Sequence, residues 1–194
     1  MFLPCKTEIR VSAGFCLLAG WFALVNGWRL LVTILSAAAV HEFGHWLVLR
    51  AFGAKILGFR VSVLGAVLET DNRRLSYGQE LAATLAGPAV NLLGAALLVG
   101  RGAEVAVGAH LVLGMFNLLP MRPLDGGRAL YLVTAWLLGL EAAERISGWT
   151  GTVTAVLLAV GLGWLMIQSG GSLWLLPAAL GALAAVGREV GFGK

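Results

Sequence analysis

The sequence predicts an all-α polytopic membrane protein of about six transmembrane helices, with a short β hairpin or sheet after the second helix. Three observations carry that expectation. Over 194 residues the chain is 59% hydrophobic and only 12% charged, against about 25% charged in a soluble domain. Its apolar residues fall into long runs, most of them near the roughly 20 residues that cross a bilayer. One stretch, 56–69 from Ile56 to Glu69, interrupts the runs with Val, Leu, Ile and Phe set between glycines, a composition of short strands rather than of helix.

The elements follow in order. Residues 1–10 are polar, with Lys6 and Arg10, and a first apolar span covers 11–28. A basic start before an apolar run also resembles a signal peptide. However, the small-residue run Ala37-Ala38-Ala39 that would serve for cleavage lies inside the next span, so the reading is an uncleaved helix. Arg29 separates the first span from the second, 30–52. Residues 53–80 hold the strand-like stretch and a polar turn, Asp71-Asn72-Arg73-Arg74. A third span, 81–100, contains Gly87-Pro88, a step that signals a kink and close packing. Asn91 in the same span is a polar amide at membrane depth, either interhelical glue or part of a site.

The fourth span, 105–140, is interrupted at 117–127, where Pro120, Pro123, Gly126 and Gly127 rule out a regular helix. Such backbone is tolerated at membrane depth where it is buried in protein or lines a wet cavity. The helix is expected to restart near Gly126. A fifth span covers 146–168 and a sixth 173–187, with Gly170-Gly171-Ser172 as the turn between them. No internal repeat or appended soluble domain is visible, so 1–194 reads as a single integral membrane domain. Cys5 and Cys16 have neither metal-ligand spacing nor a disulfide framework.

Charge sets the orientation. The net charge of +4 is scattered between apolar runs, which argues against nucleic acid as a partner. With both termini cytoplasmic, every Lys and Arg except Arg29 and Arg101 falls on the cytoplasmic side, as the positive-inside rule requires. A multi-pass protein of the bacterial cytoplasmic membrane is expected.

The chemistry lies in the second span, at His41-Glu42-Phe43-Gly44-His45. Residues four apart are neighbours on a helix, so both imidazoles can reach one metal ion. Glu42 sits about 100° around the helix from His41 and about 60° from His45, placed to take a proton from water activated by the metal without being a ligand. Gly44 leaves room on the same face for a close neighbour. An unpaired Glu within a membrane costs roughly 2.5–3.5 kcal/mol on insertion scales, which argues against coincidence. His41 lies eleven residues after Leu30, about 17 Å along a helix, which places the metal nearer the cytoplasmic face. A catalytic zinc takes three protein ligands and leaves a position open. Asp125 is the one acidic residue in a break within a span, between Pro123 and two glycines, and is the expected third ligand; its alternative use is as an N-cap for the following helix. His110, the remaining histidine, is a lesser alternative, expected near the outer end of the fourth span.

With these residues in view, the chain resembles the site-2 protease family of intramembrane zinc metalloproteases. The resemblance rests on HExxH in a membrane helix, on Gly87-Pro88-Ala89-Val90-Asn91, and on the run Asn117-Leu118-Leu119-Pro120-Met121-Arg122-Pro123-Leu124-Asp125-Gly126-Gly127. It covers about 30–128 and is nearest the branch that includes stage IV sporulation protein FB. It implies a three-helix core, one Zn2+ per chain on His41, His45 and Asp125, and Glu42 as general base. It also implies that Asn91 and Asn117 help polarise the substrate carbonyl or position the site, and that 56–69 pairs with an unwound substrate strand. Expected partners are a membrane protein cut within or beside its transmembrane segment, the lipid bilayer, and a regulatory membrane protein. The chain differs from many relatives in showing no PDZ or CBS domain. Two other functions fit a midplane metal site: a metal-binding transporter, which lacks support from any His- or Cys-rich entry loop, and an inactive protease-like binding protein, which the intact ligand set argues against.

Overall fold

Caps and glycines set helix bounds that hydropathy alone does not, shortening the first apolar run and dividing the fourth. The computed structural model describes residues 8–62, 65–71 and 75–168. The chain divides into two compact units, Met1–Phe116 and Asn117–Lys194.

The first described element of the first unit is a strand, β1 (Glu8–Val11), in a segment with no strand signal of its own. Ser12 then caps α1 (Ala13–Asn26), its Oγ accepting from the Phe15 N–H at 3.2 Å. Gly27, at φ +87°, ends α1, a conformation that L side chains rarely adopt. The first apolar run is therefore a helix of 14 residues, about 21 Å long, rather than the expected span 11–28. Arg29 does not separate two spans: it lies in the first turn of α2 (Trp28–Ala51).

The stretch 56–69 forms β2 (Lys55–Ser62) and β3 (Gly65–Asp71). The sheet order is β1-β2-β3. β1 runs parallel to β2, with Arg10 opposite Arg60, and β2 runs antiparallel to β3, with Arg60 opposite Val67. The parallel pair needs a crossover, which α1 and α2 supply. Ser76 and Gln79 form a capping box at the start of α3 (Tyr77–Leu98), satisfying two otherwise orphan N–H groups. Leu49, Ala54 and Ala83 pack with Val48, Leu68 and Leu75 where the end of α2, the sheet and the start of α3 meet. Pro88 lies inside α3 and is fully buried. α4 (Glu104–Asn117) follows.

The second unit holds the irregular turn 118–124, α5 (Asp125–Leu138) and α6 (Leu140–Gln168). The interruption expected at 117–127 is present: it separates two helices of 14 residues each, and the second starts at Asp125, next to the expected restart near Gly126. Gly139, at φ +87°, turns the chain between α5 and α6. α6 buries Ala143, Ser147, Gly151 and Ala155, a stripe of small residues one turn apart that lets the two helices pack closely. The expected sixth span, 173–187, lies outside the described residues.

Among the described residues, α2, α3 and α6 are long and apolar enough to cross a membrane, and α1 and α4 are shorter apolar helices. Their outer faces carry bare hydrophobic side chains, such as Leu24 at 88% exposure and Ile167 at 79%. Water would penalise that surface and acyl chains would cover it. This is an integral membrane protein.

Candidate metal centre

The site is built where α2 and α3 come closest. A Cβ on Gly44 would lie 2.9 Å from the Ala86 carbonyl oxygen and 3.1 Å from Val90 Cγ2, so only glycine permits this approach. Opposite, a Cβ on Gly87 would lie 2.8 Å from His41 Nε2 and 2.6 Å from His45 Cε1. Both imidazoles therefore rest on bare backbone of α3. His41 is buried and His45 half-buried.

The two rings meet edge to face, at 82°, with their Nε2 atoms 3.1 Å apart. Two nitrogens on one tetrahedral zinc, with Zn–N bonds of about 2.0–2.1 Å, are separated by roughly 3.3 Å. The pair thus fits a single ion. The opposite ring nitrogens are engaged. His45 Nδ1–H donates to the Ala83 carbonyl at 2.8 Å, which leaves the lone pair on Nε2. His41 Nδ1 lies 3.2 Å from Asn91 Nδ2. Glu42 is half-buried and follows His41 directly. Phe43 and Trp46 stack on the outward side of the helix, with ring centroids 5.5 Å apart.

The structure thus brings His41, His45 and Asn91 together in the first unit, with Glu42 beside them in the chain. Asn91 is fully buried, and both ends of its amide are used within the protein: Oδ1 lies 3.1 Å from His110 Nδ1. His110 corrects an expectation. It is buried in the middle of α4, because that helix starts only at Glu104 and ends at Asn117, and it bonds Asn91 instead of lying near a span end. No spacing rule connects residues 91 and 110, since they sit on different helices, and sequence reasoning missed the pair.

Asp125 and Asn117 lie at opposite ends of the turn 118–124. Asn117 is the last residue of α4. Asp125 is the first residue of α5, and the N-cap position belongs to Leu124. Gly127 sits against the turn, where a Cβ would lie 2.5 Å from the Met121 carbonyl carbon; a Cβ on Gly126 would overlap the Leu118 carbonyl. The two glycines let the turn fold back onto the first turn of α5. Arg122 clips the outside, pairing with Glu144 at 2.9 Å and lying over the Tyr131 ring.

These features define a class: an integral membrane protein with a paired-imidazole candidate metal site on a helix long and apolar enough to span a membrane. The comparisons with known proteins narrow it. The site-2 protease from Methanocaldococcus jannaschii matches the fold with a TM-score of 0.66, at 23% identity, over 96% of this chain and 94% of that one. A zinc metalloprotease of the same archaeon is 30% identical over 173 residues, which is 81% of this chain and 50% of the relative. Stage IV sporulation protein FB of Bacillus subtilis is 26% identical over 163 residues, 78% of this chain and 56% of the relative. The chain spans about half the length of the curated relatives it matches. No protein-family model matches it. The chain is a homologue of zinc metalloproteases and has the site-2 protease fold.

Proposed function

We propose that the chain is an intramembrane zinc endopeptidase that hydrolyses a peptide bond within or beside the transmembrane segment of a membrane-associated protein. The observation that carries this reading is the His41–His45 pair: two ring nitrogens 3.1 Å apart, at ion-sharing distance, on a helix able to span a bilayer, with Glu42 between them in sequence. One Zn2+ per chain is held by His41, His45 and Asp125, two imidazoles and a carboxylate that suit zinc.

When bound, zinc polarises the scissile carbonyl and acidifies water. The chain's residues do the rest. Glu42 accepts the proton of the attacking water and returns it to the leaving amine. Asn117 orients the substrate carbonyl; Asn91, whose amide is engaged by two imidazoles, acts on ligand orientation instead. Substrate pairs as an added strand. Within 56–69, β2 is flanked on both sides, so the free edge belongs to β3, among the described residues. The whole chain works as one metalloprotease domain in the bacterial cytoplasmic membrane, with both termini cytoplasmic and the metal nearer that face.

The test is a comparison of membrane-protein fragments in cells carrying the wild type or Glu42→Gln. The variant should keep its zinc and stop producing the fragments. Identical fragment patterns would refute the reading and its assignment of Glu42.

A further inference from the structure

The two imidazoles of the metal site are oriented by different partners. His45 is fixed by a main-chain carbonyl, that of Ala83. His41 is fixed by a side chain, Asn91, which meets a third imidazole, His110, from another helix. We propose that Asn91 and His110 form a positioning pair that sets the ring rotation and tautomer of His41, so that zinc affinity depends on a residue of α4 that holds no metal. The proposal rests on the reading of His41 as a zinc ligand.

Burial shields this chain of contacts. His41 is 4% exposed, Asn91 0% and His110 9%, so water does not compete for their hydrogen bonds. The slot is shaped by glycine. A Cβ on Gly94 would lie 3.1 Å from His110 Nδ1 and 3.2 Å from Cε1, so that ring packs closely against α3 backbone. Gly114, one turn beyond His110, meets Asn91 Cβ at 3.2 Å and the Pro88 carbonyl oxygen at 3.3 Å on the same hypothetical Cβ. Three imidazoles and one amide are thus lodged where α2, α3 and α4 meet.

Proton placement gives His110 its role. To offer metal the Nε2 lone pair, His41 must carry its proton on Nδ1 and donate it. The amide must then present Oδ1 to His41 and Nδ2 to His110. As placed, the amide has the reverse orientation, with Nδ2 toward His41 and Oδ1 toward His110. A half-turn about the Cβ–Cγ bond exchanges the two ends. His110 satisfies the amide either way, because a neutral imidazole nitrogen donates or accepts according to tautomer. In the zinc-bearing arrangement His110 accepts at Nδ1 and carries its proton on Nε2. An apolar side chain at 110 would leave one buried end of the amide unpaired.

Two measurements on the purified full chain test this. First, zinc affinity is measured by chelator competition, together with the visible spectrum after cobalt substitution. Loss of such an outer partner typically weakens metal binding about 10–100-fold. His110→Phe should show that loss and a shifted cobalt spectrum. His110→Gln, whose amide can also donate or accept, should restore most of the affinity. Wild-type affinity and spectrum in a folded His110→Phe would overturn the proposal. Second, 15N chemical shifts report imidazole tautomers in the zinc-loaded wild type, which has only three histidines and needs no variant to fold. His110 protonated on Nε2 is the expected result, and protonation on Nδ1 overturns the proposal. A wild type that binds no zinc at all would sink the parent reading instead.

Discussion

The first unit presents its proposed ligands from packed helices, whereas the second presents Asp125 from a break in the helical backbone. His41 and His45 project from the middle of α2 onto Gly87, and each has its Nδ1 within hydrogen-bonding distance of a partner. Their geometry is set by side-chain packing and hydrogen bonds. Asp125 opens α5 after a turn with two prolines, and its place is set by main chain folded against Gly126 and Gly127. Each region is therefore fragile in its own way. The histidine region fails when a ring moves, and the aspartate region fails when the backbone does.

The largest effect separates chemistry from ligand geometry in the histidine region. Glu42→Gln should lower the cleavage rate of a membrane substrate by about 10²–10⁴-fold, the usual weight of a general base, with bound zinc unchanged by elemental analysis. Loss of zinc from that variant would show that Glu42 belongs with the ligands rather than beside them. His41→Ala and Asp125→Ala should instead deplete bound zinc. A variant of Asp125 that keeps full zinc content would remove the second unit from the metal altogether.

The next test acts on packing. Gly87→Val puts a branched side chain where two imidazoles lie, so one ring or both must leave the shared position. Zinc content should fall while the helix content by circular dichroism stays near that of the wild type, since the change lies inside a long helix. Full zinc binding by this variant would mean that the rings do not rest on α3. In the aspartate region Gly127→Ala should act through the backbone. Overpacking costs typically about 1–3 kcal/mol, and the turn 118–124 should become more susceptible to limited proteolysis. An unchanged cleavage pattern would show that the turn does not need its close approach to α5.

The contrast also explains how far the sequence could be read. The motif His41-Glu42-Phe43-Gly44-His45 was legible because helical spacing alone puts both rings on one face. The break at 117–127 was legible because proline and glycine act locally. The strand stretch 56–69 was legible from composition, and β2 and β3 follow it closely. What stayed hidden was non-local. β1 is a four-residue strand whose existence depends on pairing with β2, so nothing in its own sequence marks it. Gly27 split an apolar run that hydropathy treats as continuous up to Arg29. The link from His41 through Asn91 to His110 crosses three helices, and neither propensity nor periodicity carries that information.

The smallest expected effect belongs to Arg122, at the rim of the second unit. Its guanidinium pairs with Glu144 and covers the Tyr131 ring at 5.1 Å, so it ties the turn to both α5 and α6. The pair is well exposed, with side chains at 42% and 59%, and exposed ion pairs contribute about 0–1 kcal/mol. Arg122→Met keeps much of the aliphatic bulk over Tyr131 and removes the charge. It should therefore shift thermal unfolding only slightly and leave zinc content at the wild-type level, and raising the salt concentration should shrink the difference further. A loss of zinc in Arg122→Met, at unchanged overall stability, would show that this surface clip sets the position of Asp125. The aspartate region would then be held by a side chain after all, as the histidine region is.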